Sequence, residues 1–352
     1  MRQRFVSNGR VLAYLDSHAS VAAQDRPAAA QDGSIAAQEP TVAAQEPTVA
    51  AQEPTAAAQD FSPAHTLVLL HAFPLNADMW QPQLDAVPAG WRFVAPDLRG
   101  FGESSVAAPG PTVAAQGFSP ANEPAVAAQD FSPAKAFLED YALDVLALLD
   151  HLGVPDAVIA GLSMGGYLAL AICRIAAARV AGLVLANTKA EADPPEGRRA
   201  REQMMARVAQ VGVTGLADEM LPRLLGETSR RERPEVVARV CGIAAATGVD
   251  GVRRAIAAMI QRPDSTALLA TLACPALVIA SDEDLITPPE QARAMSAHLR
   301  SAQVVVIPGA GHLSNLERPD AFNDALHRFL LSYATVDWRV NDSNSRRQAS
   351  NR

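Results

Sequence analysis

The chain is poor in cysteine, in net positive charge and in long apolar runs, and each shortage removes a class of protein. Only three of its 352 residues are cysteine: Cys173, Cys241 and Cys274. None belongs to a C-x-x-C pair, and an odd count makes a poor disulfide framework, so buried, reduced thiols are expected. The formal net charge of −8 argues against a nucleic-acid partner. No stretch of about 18 uncharged apolar residues occurs, so no membrane-spanning helix is expected. The opening residues Met1-Arg2-Gln3-Arg4-Phe5-Val6 lack the apolar segment of a secretory signal. These absences leave a cytoplasmic location as the default expectation. What is present is apolar side chain: 49% of the residues are hydrophobic, enough for a sizeable core.

Internal repeats come next, because they distort any other pattern. Ala36-Ala37-Gln38-Glu39-Pro40-Thr41-Val42 recurs at Ala43–Val49 and, nearly, at Ala50–Thr55. A relative, Ala57–Ala64, returns as Ala127–Ala134 with a variant at Ala114–Ala121. The seven-residue period is not that of a coiled coil, since each repeat carries a proline that would break the helix. With little to bury, such segments do not recover the entropy lost on ordering. Residues 20–63 and 106–134 are therefore expected to be disordered insertions, and 334–352 a frayed tail. About 260 residues remain, a suitable size for one α/β domain with a small subdomain.

Those residues alternate between two patterns. Short apolar, β-branched runs at 10–15, 66–70, 92–95, 157–160, 182–185, 276–279 and 303–307 read as strands of a sheet covered on both faces. Helical spacing appears over 135–152, 167–178 and 319–331. The alternation predicts a mostly parallel, doubly wound α/β sheet made of 1–19, 64–105, 135–187 and 266–333. Between 188 and 265 the strand signals stop, and helices such as 198–211 and 234–246 take their place. This block is expected to form a helical lid over the carboxyl edge of the sheet, where open α/β sheets bind ligands.

The motif that carries chemistry is Gly161-Leu162-Ser163-Met164-Gly165-Gly166, set between a strand and a helix. That is the context of a nucleophile elbow, where small neighbours let the strand and helix backbones approach. A serine hydroxyl needs a base to take its proton. His312, in a loop just after the last strand, is the candidate. The base in turn needs a group that fixes its tautomer and stabilises its cation. Asp284 fits that role, with Asp282 left open as a rival. The backbone N–H groups of Met164 and Phe73 are the candidate oxyanion donors, since Pro74 has none to offer. His71 is expected to order the Phe73 loop. Asp97-Leu98-Arg99-Gly100-Phe101-Gly102 lacks the third glycine of a dinucleotide fingerprint and reads as a structural turn. None of this chemistry calls for a metal or a cofactor.

His71-Ala72-Phe73-Pro74, the 97–104 turn, Gly161–Tyr167, Asp284-Leu285-Ile286-Thr287-Pro288 and Gly311-His312 together resemble the α/β-hydrolase superfamily, in sequence and in order. Within it the chain is most similar to carboxylesterases and 3-oxoadipate enol-lactonases. Haloalkane dehalogenases and epoxide hydrolases carry aspartate where Ser163 stands, so the serine argues against both. The resemblance implies hydrolysis of a small ester or lactone through an acyl-enzyme. Perhydrolase, acyltransferase or C–C hydrolase chemistry on the same residues, and a non-catalytic binder, stay open. Ala72 and Ser281 depart from the family by standing where glycine is usual. The enol-lactonase likeness also implies a carboxylate-bearing substrate. The 13 Lys plus Arg against 11 Asp plus Glu between 188 and 264 would suit one. Met204, Met205, Met220 and Met259 are expected to pack the lid or line an apolar pocket.

Overall fold

The computed structural model describes residues 1–7, 9–18, 63–106 and 136–335. Most of both repeat blocks and of the expected tail lie outside these residues. Eight strands form one sheet: β1 (Arg2–Ser7), β2 (Arg10–Asp16), β3 (His65–Leu70), β4 (Trp91–Pro96), β5 (Ala157–Leu162), β6 (Val180–Ala186), β7 (Ala276–Ser281) and β8 (Ala302–Ile307). Their spatial order is β1-β2-β4-β3-β5-β6-β7-β8. β2 pairs antiparallel with both β1 and β4, and every other ladder is parallel. The strand order reverses around β3, which has β4 on one side and β5 on the other. A crevice opens at such a switch point, outside the carboxyl ends of the strands.

The apolar runs become central strands because both faces are covered. Leu67, Val68, Leu69 and Leu70 of β3 are fully buried, and each such side chain stabilises the fold by roughly 1.5–3 kcal/mol. Double coverage fails at the edge. In β8, Gln303 is exposed and Val304 keeps 40% of its surface, so the expectation of a sheet covered throughout is corrected there. β1 carried no strand signal, being polar at most positions. It forms by pairing Phe5 with Leu12, and those two residues join Tyr14, Val94 and Leu148 in a small second core.

Eight helices of six or more residues occur among the described residues: α1 (Leu138–His151), α2 (Met164–Ala176), α3 (Pro195–Leu224), α4 (Glu227–Glu232), α5 (Pro234–Ala245), α6 (Val249–Gln261), α7 (Pro289–Ser296) and α8 (Pro319–Thr335). α2 starts three residues before the expected Tyr167, because Gly165 and Gly166 lie inside its first turn rather than ahead of it. Their role is proximity: a Cβ on Gly165 would strike the Leu70 carbonyl, and one on Gly166 the Thr188 side chain. α8 runs on to Thr335, past the expected end at Leu331 and into the first residues assigned to the tail.

Helices α3 to α6 all lie between β6 and β7. α3 is broken at Gly212 (φ 71°), one residue after the expected end of the 198–211 helix. A left-handed backbone there favours glycine. The segment meets the sheet domain at a second glycine pair, where a Cβ on Gly251 of α6 would collide with the Gly100 carbonyl. Gly100 belongs to the 97–104 turn, which is structural. The Asp97 carboxylate accepts from the N–H groups of Ala77 (3.0 Å) and Glu103 (2.9 Å), and the Ser104 hydroxyl closes the turn on the Asp97 carbonyl at 2.7 Å. No described helix is long and apolar enough to cross a membrane.

Candidate active site

Ser163 sits on the sharp turn from β5 into α2 with φ 55° and ψ −112°. A non-glycine residue held there costs on the order of 1–3 kcal/mol, so the surroundings must enforce it. They do so on both sides. The Ser163 N–H donates to Ala186 O of β6 at 2.9 Å, and its carbonyl accepts from Gly166 N (2.9 Å) and the Thr188 hydroxyl (2.8 Å). Gly161 completes the turn, because a Cβ there would collide with the Gly165 backbone.

The structure brings the three expected side chains together. His312 Nε2 lies 2.7 Å from Ser163 Oγ, and its Nδ1 lies 2.9 Å and 3.1 Å from the two oxygens of Asp284. With Nδ1–H donating to the carboxylate, Nε2 is left as acceptor for the serine hydroxyl. Asp284 Oδ1 also accepts from Ile286 N (2.8 Å) and Thr287 N (3.0 Å), while Oδ2 accepts from Thr287 Oγ1 at 2.6 Å. Burial alone would push this carboxyl up. The His312 charge and the His312 and Thr287 donors outweigh that, holding it well below the usual carboxylate range. Asp282 is placed elsewhere: it is exposed and accepts from Gly309 N at 2.7 Å, bracing the turn before His312.

Both candidate oxyanion donors come from the switch point. Met164 opens α2, where an N–H has no carbonyl one turn back within the helix. Phe73 follows β3 and lines the same cavity as Ser163. His71 holds that loop from beneath. Its Nδ1–H donates to Ala72 O (3.1 Å), and its Nε2 accepts from Leu98 N (3.0 Å), which ties the loops after β3 and β4 together. Burial pulls its pKa down to about 4, so the ring is neutral at neutral pH. Of the two departures from glycine, Ala72 is fully buried, and Ser281 Oγ accepts from Asn187 at 2.8 Å.

Two residues that the sequence reading missed contact the candidate site residues or their loop. Asn187, just past β6, has φ 44° and lies 1% exposed. Its amide donates to Asp284 Oδ2 (2.9 Å) and its oxygen accepts from the Ser314 hydroxyl (2.6 Å). A polar residue closing an apolar strand at the carboxyl edge was the available signal. The other is Glu317, fully buried just beyond His312.

A cavity of about 230 Å³ opens over Ser163 and His312. The sheet domain contributes Phe73, Tyr167, Ile286 and Thr287 to its wall. The helical segment contributes Lys189, Asp193, Arg201, Arg223 and the thioethers of Met204, Met220 and Met259. Met205 packs against the core instead. Asp193 gathers three cations: Lys189 (3.0 Å), Arg201 (2.5 Å) and Arg262 (2.7 Å). Burial works against its ionisation, but the Arg201 and Arg262 charges prevail and lower its pKa. The wall thus combines apolar side chains with three cations, Lys189, Arg201 and Arg223, against one carboxylate. A larger hollow of about 680 Å³ lies at the opposite end of the strands, against Asp156, Val180 and Pro275, and touches none of the three side chains above. Among the described residues no group of three or more His, Cys, Asp or Glu is placed to hold a metal ion.

A doubly wound sheet with a serine turn after β5, an acid loop after β7 and a histidine loop after β8 defines a hydrolase of the α/β class. The family model described as "Alpha/beta hydrolase family" matches residues 67–325, and the chain belongs to that family. It is 26% identical over 267 residues to 3-oxoadipate enol-lactonase 2 of Acinetobacter baylyi, covering 76% of this chain and 89% of that protein. Among solved structures it is similar to a thermophilic esterase from Thermogutta terrifontis, with TM-score 0.71 and 31% identity over 95% of this chain and all of that one. It is also similar to the enol-lactonase from Burkholderia xenovorans LB400, with TM-score 0.69 and 25% identity over 94% of this chain and all of that one.

Proposed function

We propose that the protein is a serine hydrolase that cleaves a carboxylic ester or lactone through an acyl-enzyme. The observation that carries this reading is the continuous chain Ser163 Oγ, His312 Nε2, His312 Nδ1, Asp284, with links of 2.7 Å and 2.9 Å, opening into a cavity. Ser163 attacks the carbonyl carbon as His312 takes its proton. Asp284 steadies the resulting imidazolium. Negative charge collects on the carbonyl oxygen, and the Met164 and Phe73 N–H groups receive it. The tetrahedral species collapses when His312 protonates the leaving oxygen. Water then repeats the sequence on the acyl-enzyme, with His312 again as base.

The cavity wall narrows the substrate. Lys189, Arg201 and Arg223 outnumber the one carboxylate, Asp193, in a space otherwise lined largely by methionine, aliphatic and aromatic side chains. A lactone or ester whose acyl part ends in a carboxylate meets both features, and the enol-lactonase relatives favour the same choice. Residues 188–265 then act as the lid that supplies selectivity. The reading is tested with short p-nitrophenyl esters and a fluorophosphonate label, applied to the parent protein and to Ser163→Ala. Turnover and labelling in the parent alone support it. Equal rates in both proteins, or a folded parent that neither turns over nor labels, refute it.

A further inference from the structure

Glu317 has no part in the chemistry above, yet its carboxylate sits fully buried where two parts of the molecule meet. Its two oxygens serve different segments. Oε1 accepts from Gly311 N (3.0 Å) and Leu313 N (3.1 Å), the residues on either side of His312. Oε2 accepts from Gly226 N (2.8 Å), the first residue after α3 and its cap. The preceding Arg223 and Leu224 line the cavity. No side chain separates the two backbones there: a Cβ on Gly311 would strike Gly226 N, and one on Gly226 would lie 2.8 Å from Gly311 N. Leu313 N also reaches Leu224 O at 3.2 Å.

We propose that Glu317 is a positioning residue that locks the His312 loop to the substrate-facing end of α3, so that base and cavity wall hold one fixed geometry. The role it assigns to His312 rests on the serine-hydrolase reading; the lock itself does not. A buried carboxylate is a costly way to brace a loop, and three converging backbone N–H groups, together with the Ser229 hydroxyl, are the compensation that makes it stable. Glu317→Gln separates the two grips. Its remaining oxygen satisfies the two donors beside His312, and its NH2 then faces the Gly226 N–H, donor against donor. Glu317→Ala releases both.

The test is amide hydrogen exchange by NMR, joined to steady-state kinetics. In Glu317→Gln the Gly226 amide is expected to exchange about tenfold faster or more, with Gly311 and Leu313 as in the parent, which corresponds to one lost hydrogen bond. KM rises several-fold while kcat changes less. In Glu317→Ala all three amides exchange faster, KM rises and kcat falls. Unchanged Gly226 exchange in Glu317→Gln overturns the lock, whatever the esterase result. Faster exchange with kcat and KM untouched in both variants overturns the positioning role. If Glu317→Ala does not fold, Glu317→Gln alone decides. A folded parent that neither turns over nor labels condemns the hydrolase reading, and the exchange arm still decides the lock.

Discussion

The two sides of the candidate site each hold a carboxylate, in opposite ways. On the sheet side the Asp284 carboxylate is met by Asn187, Thr287, Ile286 and His312, donors fixed to strand ends and tight turns. On the helical side Asp193 is met by three long cationic side chains, Lys189, Arg201 and Arg262. The first arrangement suits groups whose geometry must not vary, because short donors on rigid elements lose little entropy. The second leaves positive charge in excess around one carboxylate. Under the proposed function, a carboxylate on the substrate would meet Lys189 and Arg201, the two of these cations that line the cavity.

Substitutions on the sheet side therefore strike the rate, and those on the helical side strike selectivity. Ser163→Ala should lower kcat by roughly 10⁶-fold with the fold intact, as measured by ester hydrolysis and circular dichroism. Asp284→Asn should lower kcat by about 10³–10⁴-fold, since an amide cannot steady the imidazolium and turns an NH2 toward donors. A smaller loss than that of an ordinary surface change would show that His312 is held without Asp284.

His71 gives the sheet side a pH signature. A histidine of ordinary pKa 6.5 drawn down to about 4 stabilises the fold fully above pH ~6.5. That contribution, about 3 kcal/mol, is lost as the pH falls from 6.5 to 4. Asp97 and Glu317 are raised by burial and work in the other direction, so the difference between proteins is the useful quantity. The stability gap between the parent and His71→Gln should narrow over that window in urea titrations. A gap that stays constant would show that His71 does not titrate as its burial demands. The smallest effect is expected on the helical side. Arg201→Ala should cost about tenfold in kcat/KM for an ester ending in a carboxylate and little for its neutral methyl ester, the worth of one charge-assisted contact. Equal losses on both would assign Arg201 to packing alone.

The same division decided what the sequence could tell. Ser163 was legible because its glycines are required by close backbone contacts and sit between an apolar strand and a helix. His312 was legible because it follows the last strand. Asp284 was preferred over Asp282 from the sequence, but the two lie in one loop and their spacing left Asp282 as a rival. What spacing does not show is the turn through Ile286 and Thr287, whose N–H groups hold the Asp284 carboxylate beside His312. Asn187 and Glu317 were silent because their partners are backbone groups and side chains distant in sequence. The helical segment announced its helices and its charge, but a count of arginines does not say which of them face a cavity. β1 was missed for a related reason: its strand is made by a neighbour, not by its own polar sequence.

The break at Gly212 divides α3 into a stretch bearing Arg201 and Met204 and a stretch bearing Met220 and Arg223, all four of them cavity residues. One glycine thus sets the phase between two cavity-lining surfaces carried by a single run of chain. A residue inserted at that point would turn the second surface by about 100° relative to the first while leaving every residue of both unchanged. Chain length at the break, rather than the identity of any lining residue, is then a separate variable by which this scaffold could acquire a different substrate.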